Sequence, residues 1–248
     1  MAKNAAALQD IETALRARKL DRTLTSAAPP AAVTTVATQV ASLDAALRGG
    51  LPRGQLSEIS GPRSSGRMTL LLQLLAAATQ RGEVVALVDT FDRLDVASAV
   101  AAGIDLPRLL WVRGQAISKT EGATDLRERT IDRALKALNL VLQAGGFGIV
   151  ALDLADVPMI ALRRLPFTTW LRIQRVVEGS ETACLLTTPE PLARSAGGLT
   201  LALTGQTTWA GDSDRSRRIE GAEISTRIVS PKRRFDSEVL VAAGSNFR

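Results

Sequence analysis

The chain has no histidine and no tyrosine, a single cysteine, and only 3% aromatic residues. Without imidazole there can be no histidine metal site and no histidine-based catalytic triad. The lone Cys184 lies in the apolar run ACLL; disulfides play no part, and a reducing compartment is expected. The shortage of aromatic rings argues against a platform for stacking nucleic-acid bases. No stretch is long and apolar enough to read as a transmembrane span, and Asp10 and Glu12 stand where a secretory signal would need an apolar run. The expected location is therefore the cytoplasm. What is present is globular: 248 residues with 46% hydrophobic and 23% charged residues, enough for a substantial core. The net charge of +6 and a sequence pI near 10.4 permit contacts with nucleic acid or acidic proteins without requiring either.

The most informative stretch is QLSEISGPRSSGRMT, residues 55–69. Residues 56–60 alternate apolar and polar as a strand does, and the pattern breaks at Gly61-Pro62. From Arg67 the run MTLLLQLLAAATQ has a helix-forming composition that stops at Gly82. A strand, a glycine-bounded loop and a helix make the frame of a phosphate-binding loop, whose pattern is G-x-x-x-x-G-K-[ST]. Gly61 and Gly66 match, so the backbone N–H groups across Arg63, Ser64 and Ser65 are expected to form an anion-binding nest at a helix N-terminus. The two chemical positions differ. Arg67 replaces the lysine that reaches the phosphates, and Met68 replaces the hydroxyl that ligates Mg²⁺. Arginine keeps the charge in a larger fork, whereas a thioether is a poor ligand for a hard cation. Thr69 supplies a hydroxyl only if the helix start shifts by one residue.

In chain order, residues 4–19 read as an amphipathic helix with Leu8, Ile11 and Leu15 at helical spacing. Residues 23–40 form a linker rich in Pro, Ala and Thr, with a candidate edge strand at 36–40. A short helix at 41–47 and turn chemistry at 49–54 lead into the loop strand. Strands are then predicted at 83–89, 109–113, 148–154 and 183–188, alternating with helices at 94–102, 125–144 and 167–177, and with polar loop at 117–124. Beyond Gly198 the pattern changes to strands alone, at 199–204, 207–210, 222–229 and 238–242. The fold class is α/β: a mainly parallel central sheet extended at one edge by antiparallel strands, preceded by an N-terminal helix. The expected organisation is a docking helix at 1–22, a linker at 23–40, a core domain at 41–230 and a basic tail at 231–248. Asp153 ends the most hydrophobic strand, where loop-type nucleoside triphosphatases place an acid that holds the magnesium shell.

The run LDAALRGGLPRGQLSEISGPRSSGRMTLLLQLLAAATQRGEVVALVD, residues 43–89, resembles the ATP-binding core of RecA recombinases. The likeness continues through Leu94-Asp95, Leu109-Leu110, the IVALD strand and Gly197-Gly198. The degenerate loop, the small size and the helix-plus-linker start resemble more narrowly the ImuA group, RecA-like accessory proteins of error-prone translesion mutagenesis. The RecA resemblance implies a RecA-like P-loop core. It also implies a glutamate after the second core strand to orient the attacking water, but Phe91 holds that position here, with Asp92 beside it. Thr187 and Thr188 correspond to the polar residues that sense the γ-phosphate. The two DNA-binding loops correspond to residues 156–166, with Arg163 and Arg164, and to residues 189–198, with Arg194.

Losing the lysine, the Mg²⁺ hydroxyl and the glutamate together removes positioning, charge neutralisation and water orientation. The expectation is a non-enzymatic, catalytically degenerate protein with no catalytic residue and no metal site. ATP or ADP could still bind without hydrolysis through Gly61, Gly66, Arg67 and the loop around them. The ImuA resemblance implies an adaptor in the DNA-damage (SOS) response, nucleoid-associated. Its partners would be a translesion polymerase-family protein of the ImuB kind and RecA itself, held by Leu8, Ile11 and Leu15 at one end and Lys232, Arg233 and Arg234 at the other. Two alternatives stay open: a divergent DNA-dependent ATPase or recombinase using Arg67, Thr69 and Asp153, and a single-stranded DNA binder using Arg163, Arg164, Arg194 and residues 215–218.

Overall fold

The computed structural model describes residues 34–116, 124–193, 198–213, 215–230 and 238–243. The expected helix at residues 4–19, most of the polar loop at 117–124, Arg194, and the basic Lys232, Arg233 and Arg234 lie outside the described residues.

The core is an eight-stranded sheet in which a parallel block and an antiparallel block share one edge. Its parallel strands are β3 (Leu56–Ser60), β4 (Val85–Asp89), β5 (Leu109–Arg113), β6 (Ile149–Asp153), β7 (Ala183–Thr188) and the start of β8 (Thr200–Ala210). Then β9 (Arg218–Ser230) and β10 (Glu238–Ala243) continue antiparallel, giving the order β10-β9-β8-β3-β7-β6-β4-β5. This is the mixed α/β architecture that the alternating pattern predicts. Strands β3, β4, β6 and β7 are buried at every position, which is why β4, β6 and β7 read as near-continuous apolar runs.

Helices cover both faces. On one face lies α2 (Arg67–Gln80), buried through Leu70, Leu71, Leu74, Leu75 and Ala76–Ala78. A helix apolar all round must be covered all round. The cover comes from β1 (Thr35–Val36), α1 (Ala41–Ala46) and β2 (Leu51–Pro52), whose Val36, Leu43 and Leu51 join the same hydrophobic cluster as α2, with Leu47 just after α1. The small α3 (Val96–Ala101) adds Ala99 to that cluster and is capped by Asp95, which accepts the Ser98 N–H at 2.8 Å. On the other face α4 (Thr124–Ala144) and α6 (Phe167–Val177) pack Ile131, Leu138, Trp170 and Ile173 against Val88, Val150, Leu152, Cys184 and Leu186. A short α5 (Met159–Leu162) precedes α6.

Four expectations shift. The edge strand at 36–40 is instead the two-residue β1, paired antiparallel with β2; the chain then turns at Gln39, whose φ is +60°, while Asp44 accepts the N–H groups of Thr38 and Gln39. Val36 and Thr38 are buried, so the core begins at Thr34 rather than at 41. The predicted break at 205–206 does not occur: β8 runs straight through Gly205, because there it passes so close to the phosphate loop that a Cβ would lie 2.4 Å from the Ser64 carbonyl oxygen. At the far end β10 pairs with β9 over Ala222–Arg227, so the core takes in part of the segment expected to be a tail.

Candidate anion-binding site

The C-terminal ends of β3, β6 and β7 converge on the loop between β3 and α2. Ser64 and Gly66 both take left-handed backbone, at φ +60° and +88°, and Gly66 is the N-cap of α2. This alternation turns successive N–H groups inward, which is how an anion nest is made. The cleft in front of it has a volume of about 390 Å³ and is lined by the expected loop residues Arg63, Ser64, Ser65, Gly66, Arg67, Met68 and Thr69, together with Asp153. Gly61 closes the loop from behind. A side chain there would strike the Leu203 carbonyl oxygen at 2.4 Å and the Ser65 hydroxyl at 2.6 Å.

What sequence reasoning missed is that the antiparallel extension presses on this loop. Ile224 of β9 lies 2.4 Å from where a Gly66 Cβ would be, and Gly205 of β8 lies against Ser64 and Ser65. No local pattern announces a contact across 140 to 160 residues of chain; only the glycine at 205, inside an otherwise good strand, hints at a close approach.

The charged groups of the cleft are engaged with protein atoms. Arg67 is buried, and its Nη1 donates to the carbonyl oxygens of Thr188 (2.8 Å) and Ala155 (3.3 Å). Burial lowers the pKa of its guanidinium, and the charges of Asp153 and Asp156 oppose that shift. Met68 is half-buried, packed against the α2 core cluster while also lining the cleft. Thr69 is exposed at the mouth of the cleft.

The acid at the end of β6 is committed as well. The Thr187 hydroxyl donates to Asp153 Oδ1, and the Ala155 N–H donates to the same oxygen at 2.9 Å. Burial holds the Asp153 carboxyl above the usual carboxylate range, although those two donors pull it back. Thr188, the other threonine expected to face a phosphate, sends its hydroxyl to Glu58 at 2.7 Å. Phe91 is buried in the core on the α4 side, and Asp92 turns outward into a two-pronged pair with Arg113, both contacts at 2.8 Å.

Glu58 is the second residue that sequence alone did not single out. It is 1% exposed in the middle of β3, and its carboxylate accepts N–H groups from Leu192 (2.8 Å) and Ala193 (3.2 Å) besides the Thr188 hydroxyl. Burial raises its pKa against those donors. Glu58 follows another polar residue, Ser57, in β3; polar side chains in a strand suggest a solvent face, and this strand has none.

Two of the candidate DNA-contacting arginines are paired. Arg163 reaches Glu190 at 2.8 Å and Arg164 reaches Glu128 at 2.7 Å. Around them the surface is apolar, with Ile160, Phe167 and Leu171 exposed. The described residues hold no group of three or more acidic or cysteine side chains that could bind a metal. No helix among them is long and apolar enough to cross a membrane.

Comparison with known proteins agrees with this geometry. The chain is similar to Protein RecA of Brucella anthropi, 36% identical over 149 residues, which is 60% of this chain and 37% of that protein. It is similar to Protein RecA of Allorhizobium ampelinum, 38% identical over 122 residues, or 49% of this chain and 30% of that protein. A shorter match to Protein RecA of Synechocystis is 47% identical over 78 residues, covering 32% and 22% of the two chains. The matched part thus spans well under half of each of these relatives. The profile of the RecA N-terminal domain matches residues 3–151, and with a mainly parallel sheet, a glycine-bounded loop at the end of β3 and a buried acid at the end of β6, the chain belongs to the RecA family.

Proposed function

We propose that this protein is a catalytically degenerate RecA-like accessory protein of the DNA-damage response, supporting error-prone translesion synthesis as an adaptor. One observation carries the reading: the loop arginine is tied to the Thr188 and Ala155 carbonyls, in a cleft where a half-buried methionine stands at the position of the magnesium-binding hydroxyl. Phosphoryl transfer depends on positioning and charge stabilisation at the γ-phosphate. A methionine sulfur does not supply an oxygen ligand, and a buried phenylalanine at 91 does not orient water.

With the chemistry removed, what remains to act is surface. The partners we propose are a polymerase-family protein of the ImuB kind and RecA, taken up by the two ends, Leu8, Ile11 and Leu15 on one side and Lys232, Arg233 and Arg234 on the other. Work beside a translesion polymerase places the protein in the cytoplasm, at the nucleoid. The test is a truncation of residues 1–30 and, separately, the replacement of Lys232, Arg233 and Arg234 by alanine, which leaves the connection between β9 and β10 in place. Each variant is assayed for co-purification with candidate partners and for ATP turnover with and without single-stranded DNA. Loss of one partner with each variant and no turnover in any form is the expected result. DNA-stimulated hydrolysis that disappears in Asp153→Ala would replace this reading with that of a divergent ATPase, the activity that similarity to RecA would suggest.

A further inference from the structure

The RecA family implies Mg²⁺ beside the phosphates, and the residues here do not fit it. Met68 offers sulfur where a hard cation wants oxygen. The Asp153 oxygen Oδ1 already accepts from Thr187 and from the Ala155 N–H. The cleft is instead rich in guanidinium. Arg63 from the loop and Arg93 from the turn after β4 both line it, together with Arg67. Both outer arginines are held by the same carboxylate: Asp156 contacts Arg63 at 3.0 Å and Arg93 at 3.7 Å.

We propose that the cleft takes the phosphate chain of a nucleotide without a metal ion, Arg63 and Arg93 leaving Asp156 to supply the positive charge that Mg²⁺ supplies elsewhere. The inference rests on the non-hydrolytic reading above and specifies the ligand chemistry of the same site.

Three features support it. The side chains of Arg63 and Arg93 are 67% and 47% exposed, and ion pairs of that kind are weak enough for a phosphate to displace. Arginine meets a phosphate with two parallel N–H donors at once, which a monodentate carboxylate contact does not use. Among the described residues the buried Ser65 hydroxyl at the loop has no hydrogen-bond partner, and a phosphate oxygen in the nest would satisfy it. Arg67 makes both of its hydrogen bonds through Nη1, so among the described residues its Nη2 and Nε are left over for a ligand. Asp156 then acts as a stand-in anion that competes with the nucleotide.

Calorimetric titration of the full chain with ATP and with ADP, in EDTA and again in Mg²⁺, tests this. Binding in EDTA at least as tight as in Mg²⁺ is expected, since the metal competes with the arginines for the phosphates. Arg63→Ala combined with Arg93→Ala should weaken binding by about tenfold or more, as loss of two charge-assisted contacts requires. Asp156→Asn should tighten it. Both changes lie at exposed positions, and a thermal melt of each variant checks that it folds. Binding that needs Mg²⁺, no binding under either condition, or undiminished binding in the double variant overturns the inference. Product formation followed in the same samples reports separately on the accessory reading: turnover in EDTA would end that reading while leaving metal-free binding intact.

Discussion

Replacing Gly66 by alanine should destabilise the protein by two distinguishable effects, one of which a second substitution can relieve. Gly66 sits at φ +88°, left-handed backbone that costs an L-residue about 1–2 kcal/mol. The added methyl would also lie 2.4 Å from Ile224 Cδ1, 2.8 Å from Cγ1 and 3.2 Å from Cγ2. Ile224 is itself buried and has little room to yield, so overpacking adds about 1–3 kcal/mol. The sum, roughly 2–5 kcal/mol, is a large share of the 5–15 kcal/mol that holds a typical domain together. Ile224→Val removes only Cδ1, the nearest atom, and alone should cost about 0.5–1.5 kcal/mol. In the double variant the backbone cost remains while the steric cost falls, so the two changes should combine to about 1 kcal/mol less than their sum. Urea unfolding of the four proteins, followed by tryptophan fluorescence, measures the cycle. Strict additivity would mean that β9 does not rest on the phosphate loop, and a neutral Gly66→Ala would refute the left-handed loop as well.

Glu58 and Asp153 are both raised above their ordinary carboxyl range by burial, so the native state keeps protons that the unfolded chain has released; stability should fall as pH rises through the folded pKa values. Glu58→Gln should flatten the fall seen in urea unfolding across that window, and an unchanged pH slope would show that Glu58 is not the group responsible. Burial pushes the Cys184 thiol up to about 12, so a colorimetric disulfide reagent at pH 8 should leave it unmodified in the native protein and react on unfolding; rapid modification of the folded protein would contradict its burial. Arg163 and Arg164 are each matched by a carboxylate of their own, Glu190 and Glu128, whereas Arg63 and Arg93 share the single Asp156. With their charge balanced one for one, converting Arg163 and Arg164 to alanine should leave any single-stranded DNA affinity and its salt dependence unchanged. A log–log salt slope shallower by about 0.7 for each arginine removed would mean that they do contact phosphates.

The parallel half of the fold was legible because its signals are local. Strands β4, β6 and β7 are short apolar runs, α6 and β7 fall where the pattern places them, and α4 begins one residue before its expected start. The loop residues converge as the glycine spacing requires. What was not legible depended on pairing between distant segments. Polar side chains at 57, 58 and 60 suggest a half-solvated strand, yet Ser57 accepts the Leu199 N–H, Ser60 donates to the Leu201 carbonyl and Glu58 holds Leu192. Each is satisfied by chain more than 130 residues away. Likewise α5 is a single turn behind Pro158, too short to show periodicity. The linker boundary was misplaced because Pro/Ala/Thr composition looks the same whether or not the chain goes on to cover an apolar helix.

Thr188 ties the phosphate loop to the strand beside it. Its carbonyl oxygen accepts from Arg67 and from the Gly61 N–H, and its hydroxyl donates to Glu58. Glu58 in turn holds the N–H groups of Leu192 and Ala193. The end of β7 is therefore fastened to the phosphate loop on one side and to the chain leaving β7 on the other. An arginine at position 67 reaches a carbonyl that a lysine would contact with a single point charge, and its remaining donors stay free for an anion. Were Arg67 merely an eroded lysine, Arg67→Lys would restore a family-like loop at little cost. If Arg67 is instead a joint, that substitution exchanges a planar fork for a mobile ammonium beneath buried backbone carbonyls. It should then loosen β7 and the chain at 189–193, seen as faster amide exchange at Leu192 and Ala193. Unchanged exchange there would separate the arginine from the joint and leave it as an anion contact alone.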